Sequence, residues 1–229
     1  MAYQIPKVVR FYSDDGDILN EYYEVNGKIE GVNKEITNIF KLKYYINGKS
    51  NGEFKFYYIN NGNIYFNFKY INEKIYGEWL EYYKDINIHK KLYYINGKKN
   101  GVCKEYYNNG NIHFISNYNN DKLNGKTIIY YSNGNIERIL NYIYGKTNGL
   151  LKWYNGNGDI YEASNFINGK LNGEVISYHA NGNIQCVSNY VNDERNGEQK
   201  EYYKNGKIKS ISYYFNGKKM GIHKCYSES

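Results

Sequence analysis

The chain lacks most of what would make it a membrane-spanning protein, a disulfide-stapled domain or a flexible linker. Among its 229 residues there is one proline, Pro6, and there are three cysteines, two methionines and two tryptophans. No apolar run approaches the roughly 18 residues that a transmembrane helix needs, and a proline-rich spacer is excluded. The cysteines Cys103, Cys186 and Cys225 form no CxxC pair, which argues against a disulfide framework or a tetrahedral zinc site and fits free thiols in a reducing compartment. The segment from Met1 to Arg10 has neither the charged start nor the apolar core of a signal peptide, so an intracellular location is expected.

What the chain has instead is tyrosine and glycine. Aromatics make up 18% of the chain, 31 residues are tyrosine and 23 are glycine, too much aromatic content for a disordered tract of this polarity. Glycine returns at 24-residue steps, at Gly77, Gly101, Gly125, Gly149, Gly173, Gly197 and Gly221, each followed five residues later by tyrosine. A period of this length marks an array in which each unit buries its apolar face against its neighbours. Counting from that glycine as zero, tyrosine stands at plus five (Tyr106, Tyr130, Tyr154), isoleucine at plus eleven (Ile112, Ile136, Ile160) and an aromatic at plus seventeen (Tyr118, Tyr142, Phe166). A second glycine at plus nine and a Gly-Lys pair at plus twenty and twenty-one complete the unit.

Asn-Gly between short aromatic and β-branched runs is a strong hairpin signal, because a type I′ turn needs positive φ at both central residues. Each unit has two such places and is expected to make two type I′ turns. The odd offsets plus five, plus eleven and plus seventeen are expected on one face if alternation survives the intervening turn, giving three ladders along the array. Helix is denied by asparagine and glycine every few residues.

The string Tyr-Ile-Asn-Gly-Lys-Lys-Asn-Gly-Val-Cys-Lys-Glu-Tyr-Tyr-Asn-Asn-Gly-Asn-Ile, from Tyr94 to Ile112, resembles the MORN repeat in its variant form. That resemblance runs from about Phe11 to Tyr226 and includes an antitoxin-like bacterial branch. It implies an all-β fold, an elongated antiparallel meander of tandem 24-residue β-hairpin repeats with no separate globular domain, coiled into a trough or open half-barrel. The expected organisation is an N-terminal segment over 1–10 and a repeat array over 11–229, irregular in its first third, about 11–75. Phe40 stands where a turn glycine belongs, an extra residue lies between Gly52 and Gly62, and Glu73, Ile86, Asp121 and Asp193 replace glycines. Aspartate tolerates positive φ, whereas Ile86 and Glu73 are costly there, so an irregular turn is expected over Lys84 to Ile88. The final unit stops where its turn should begin, leaving one strand to dock on the preceding hairpin or to serve as a dimer edge.

Two surfaces are candidates for recognition. The second tyrosine, at plus six (Tyr83, Tyr107, Tyr131, Tyr203), should face away from the packed first one. Repeated tyrosines can stack ligands, but in so short a unit they are also what fills the core. The lysines at plus twenty-one (Lys98, Lys122, Lys146, Lys170, Lys218) could form a basic row for anionic lipid or a phosphate backbone; equally, lysine solvates a turn and blocks edge pairing. Interspersed glutamates dilute the formal charge of +7. His223 and Cys225 lie two apart on an expected strand, too few for a metal site and without an orienting group for a nucleophile. No HExxH, GxSxG or P-loop is present, and no cofactor or metal is implied.

The expectation is therefore a non-enzymatic scaffold for an unidentified protein partner, with peripheral binding to anionic membrane lipids as the alternative. Nucleic acid is disfavoured by the modest charge and few arginines. End-to-end association of copies is open, because neither terminal strand has an evident cap. The bias toward Asn, Lys, Ile and Tyr is what AT-rich codons encode, and a bacterium and a large DNA virus, hence a host cell or virion, both fit.

Overall fold

The computed structural model describes residues 7–37 and 39–228. Residues 1–6 of the expected N-terminal segment lie outside it, while the strand Lys7–Tyr12 reaches into that segment. The chain divides into two compact units, Met1–Gly110 and Asn111–Ser229. No helix occurs among the described residues, and each unit is an antiparallel meander in which successive long strands pair in chain order. The all-β hairpin repeat expected from the sequence is what each unit shows. In the second unit the last strand, Lys218–Cys225, docks on Ile208–Phe215.

The two turns of a repeat differ, which corrects the expectation of two type I′ turns. At the return, both central residues have positive φ: 53° at Asn168 and 85° at Gly169, 51° at Asn96 and 79° at Gly97, as type I′ requires. At the first turn only the glycine does, with Gly134 at 90°. There the Gly134 N–H donates to the Tyr131 carbonyl (2.9 Å) and the Tyr131 N–H to the Asn135 carbonyl (2.8 Å), the pattern of a type I turn closed by a left-handed glycine bulge.

That bulge also breaks the expected parity. Thr127 pairs with Leu140 and Ile129 with Arg138, but Tyr130 pairs with Ile136, so Glu137 is an extra residue on one strand. The same shift recurs at Tyr82, Tyr154, Tyr178 and Tyr202. The tyrosine at plus five and isoleucine at plus eleven are thus direct partners on one face. The aromatic at plus seventeen faces the other way, opposite the repeat's leading glycine, as Tyr142 is to Gly125 and Tyr190 to Gly173.

The core lies on that second face, at plus two and plus fifteen rather than at plus five. Leu140, Leu151, Leu92, Cys103 and Phe54 are buried there, with Thr127, Gln199 and the serines Ser116, Ser164, Ser188 and Ser212. These positions meet across strands: in the second unit a large residue faces a small one, Leu151 against Ser164 and Gln199 against Ser212, whereas in the first Phe54 faces Phe68 and Trp79 faces Leu92. The tyrosines at plus five are only half-buried, and the last of them, Tyr226, is exposed.

The short unit of the first region closes differently. Lys28–Ile36 and Ile39–Ile46 pair without a shift from Gly31↔Tyr45 to Ile36↔Phe40, and Asn38 lies outside the described residues. The turn over Lys84 to Ile88 is not irregular: Tyr83 donates to the Asn87 carbonyl (2.9 Å) and Ile86 to the Tyr83 carbonyl (3.1 Å). Ile86 adopts φ 66° in the glycine's place, so the hydrogen bonds hold a β-branched residue in a strained conformation.

Candidate interaction edges

At the bulged turns, side chains are spent on joining one repeat to the next. The Tyr131 hydroxyl donates to the Tyr154 carbonyl at 2.9 Å, Tyr83 to the Tyr106 carbonyl at 2.6 Å and Tyr203 to the Tyr226 carbonyl at 2.8 Å. His179 fills the same position, with Nε2 2.9 Å from the Tyr202 carbonyl. Burial, and then the carboxylates of Glu105 and Glu81, hold the Tyr83 phenol above its ordinary pKa, which keeps it a neutral donor. Tyr107 is half-buried like the others. Beside Tyr131 and His179, two asparagine amides converge on one carbonyl: Asn133 and Asn135 donate to Gly156 O (3.0 and 2.8 Å), and Asn181 and Asn183 to Lys204 O (both 2.8 Å). The plus-six tyrosines proposed for recognition thus have their hydroxyls committed within the fold at Tyr83, Tyr131 and Tyr203.

At the type I′ turns, the backbone does most of the joining. The Gly169 N–H donates to the Thr147 carbonyl (2.8 Å), Gly145 to Leu123 (2.7 Å) and Gly217 to Arg195 (2.9 Å). The side chains that add to it are short ones, Asn124 Oδ1 accepting from the Tyr144 N–H (3.3 Å), Asp193 Oδ1 from the Leu171 N–H (2.7 Å) and Asn216 Oδ1 from the Asn196 amide (3.3 Å). The lysines at plus twenty-one stay outside: Lys98, Lys122, Lys146, Lys170 and Lys218 are all exposed. Among the described residues, none of these five has a carboxylate within 4.0 Å. Lys49 by contrast reaches Glu73 at 3.3 Å.

Sequence reasoning missed the residues opposite those lysines. Plus eighteen is directly paired with plus twenty-one: Ile143 with Lys146, Ile167 with Lys170, Phe215 with Lys218, Ile95 with Lys98. Directly paired residues share a face, and these apolar partners are unusually open, from 39% exposed at Ile95 and 46% at Ile143 to 52% at Ile167 and 60% at Phe215. The signal was present in the string Tyr-Ile-Asn-Gly-Lys, where alternation sends the aromatic to the core face and the isoleucine to the other. Two exceptions punctuate the second unit: Asn119 opposes Lys122, and Val191 opposes Glu194.

The thiols and imidazoles gather no metal site. His223 Nδ1 lies 2.8 Å from Ser212 Oγ, and its Nε2 lies 3.1 Å from Cys225 Sγ. No group of three or more His, Cys, Asp or Glu residues among those described has the geometry to hold a metal. Cys103 is buried, and burial pushes its thiol up to about 11, which keeps it protonated and inert at neutral pH.

Comparison with known proteins follows the same lines. The family model for the MORN repeat variant matches residues 99–120, 123–144, 171–192 and 195–216. The structure repeats the unit between those segments, with the same bulged pairing over Gly149–Tyr154 and Ile160–Ile167. No curated protein matches the chain. Among solved structures, the crystal structure of TcdB2-TccC3-Cdc42 aligns at 13% identity over 95% of this chain, with a TM-score of 0.17. A Tc holotoxin pore from Photorhabdus luminescens aligns at 12% over 91%, also with a TM-score of 0.17. The chain spans 14% and 13% of those proteins' lengths, and alignments this loose carry no argument about it. No helix among the described residues is long and apolar enough to cross a membrane. MORN repeats form a non-catalytic family that commonly serves protein or lipid interaction. In its four matched segments, its hairpin unit and its two turn types, this chain is a variant MORN-repeat protein.

Proposed function

We propose that the chain is a non-enzymatic scaffold that holds another protein along the type I′ edge of its repeats. The observation that carries this reading is the contrast between edges. Tyrosine and asparagine side chains are consumed at one edge, whereas the other leaves half-exposed isoleucines beside lysines that have no carboxylate partner. Apolar groups flanked by charge are what protein interfaces use for anchoring and for orientation. Affinity capture with the tagged chain at low and at moderate salt tests it. The expected result is a stoichiometric protein that remains at moderate salt, because apolar and backbone contacts are little screened.

A second reading, peripheral binding to anionic membranes, is favoured by the exposed lysine row itself. Lysines near an anionic leaflet each contribute about 1 kcal/mol and lose it within a Debye length. Flotation of the chain with anionic vesicles, abolished by salt and by neutralising Lys98, Lys122, Lys146, Lys170 and Lys218, with no captured protein, would replace the scaffold by this reading.

A further inference from the structure

The type I′ edge is a single alternating row. Passing from strand to strand in the second unit, it presents Lys122, Ile143, Lys146, Ile167, Lys170, Val191, Glu194, Phe215 and Lys218. Adjacent strands lie about 4.8 Å apart, so like chemistry recurs about every 9.6 Å. The stacking bonds from Gly145 to Leu123 and from Gly169 to Thr147 hold that interval from turn to turn.

We infer that this edge binds an extended, acidic, polyproline II-like peptide segment of a partner protein, with a charged residue at every third position, a carboxylate at all but one of them. The inference rests on the scaffold reading and gives its partner a chemical class. Repeat length decides among ligand conformations. A polyproline II helix advances about 9.3 Å in three residues and returns the same side chain to the same face. Across three intervals it drifts from the row by about 1 Å. An α-helix advances about 10.8 Å in two turns and drifts by roughly 3.6 Å over the same span. A β-strand repeats its face about every 6.7 Å and falls out of step at once.

Charge sets the register. The row reads cation, cation, cation, anion, cation from Lys122 to Lys218, with Glu194 as the anion. The complementary peptide carries three carboxylates, one cation and one carboxylate at three-residue spacing, with apolar residues between them against Ile143, Ile167 and Phe215. A bilayer fits less well. The turn residues are polar at Asn120-Asp121, Asn168-Gly169, Asn192-Asp193 and Asn216-Gly217, with an aromatic only at Tyr144-Gly145, the isoleucines pair within the strands rather than at the tips, and Glu194 would meet the anionic headgroups.

The test uses the full chain and a labelled 15-residue synthetic peptide with Glu at positions 1, 4, 7 and 13, Lys at 10, and Leu and Pro elsewhere. Its control has the same composition with Glu at every fourth residue. Fluorescence anisotropy should show the control binding at least tenfold more weakly. The double substitution Lys146→Ala with Lys170→Ala should weaken the first peptide at least tenfold, and Glu194→Lys at least threefold, while circular dichroism shows the fold retained. Equal binding of the two peptides, or indifference to both variants, overturns the inference. So does anionic phosphatidylserine vesicle binding through these lysines without any peptide preference. If the peptides are not distinguished but affinity capture still yields a salt-resistant protein, the inference falls and the scaffold stands; if capture also yields nothing, both fall.

Discussion

The same Asn-Gly dipeptide closes both kinds of turn, and the two are built in opposite ways. Around Asn133-Gly134 only the glycine has positive φ, a bulge follows, and Tyr131, Asn133 and Asn135 all donate to the next repeat. At Asn168-Gly169 both residues have positive φ, the flanking pairs Ile167↔Lys170 and Phe166↔Leu171 are in direct register with the shift only beyond them, and the Gly169 N–H donates to the preceding turn. The difference teaches that a repeat protein can lock its units together at one edge with long tyrosine and paired asparagine side chains, and leave the lysines of the other outside the joints. Stability should therefore depend on the bulged edge and the leading glycines, and recognition on the type I′ edge.

The leading glycine offers the strongest way to break that division. Gly173 sits at φ +106°, and an added Cβ would lie 3.3 Å from the Asn165 Cβ. Gly173→Ala therefore adds crowding to backbone strain and should cost about 2 kcal/mol or more. Gly149, at φ +81°, would meet nothing within 4 Å, so Gly149→Ala should cost only the strain, about 1 kcal/mol. Urea denaturation of the two variants separates crowding from strain, and equal losses would show that the Asn165 contact is irrelevant.

Removing the asparagine clamp comes next in size. Asn133→Ala combined with Asn135→Ala deletes both amide donors to the Gly156 carbonyl and should lower stability by about 1.5 kcal/mol, the net worth of two modest hydrogen bonds. An unchanged urea midpoint would mean that water replaces the clamp without loss. Ile86→Gly goes the other way. It relieves a β-branched residue at φ 66° in a turn whose hydrogen bonds are already formed, and should stabilise by about 0.5–1 kcal/mol, part of the strain relief being offset by glycine's greater unfolded entropy.

These contrasts also show what could be read from the chain before its structure. The 24-residue register, the strand and turn order and the all-β class were legible, because glycine spacing and aromatic alternation are local properties. The face assignment was not. One extra residue at plus twelve, such as Glu137 opposite Tyr130, flips the parity between Ile136 and Arg138, and nothing in the residue types of Ile-Glu-Arg announces a bulge. The core was misplaced for the same reason: Ser164 and Ser188 are buried although serine signals a surface, because the pairing sets them opposite Leu151 and Val175 on the core face. The lysine row was legible from Gly-Lys spacing. Its isoleucine partners were hidden, since an apolar residue next to a tyrosine reads as core until the pairing Ile167↔Lys170 shows which face it takes.

The smallest expected effect is the one that bears most on function. Lys146→Ala with Lys170→Ala removes two exposed side chains that have no carboxylate within ion-pair reach, on turns held by backbone bonds from Gly145 to Leu123 and from Gly169 to Thr147. The urea midpoint should move by no more than about 0.5 kcal/mol, as for surface changes away from any cap or network. A larger loss would mean that the lysine stems pack the turns: Gly169 lies close to Lys146, where an added Cβ would come within 3.9 Å of the lysine Cβ. The type I′ edge would then be structural like its opposite, and its lysines would have no surplus to offer a partner. A stability unchanged by this substitution, beside a clear loss from Asn133→Ala with Asn135→Ala, would instead separate the edge that holds the repeats from the edge that is free to bind.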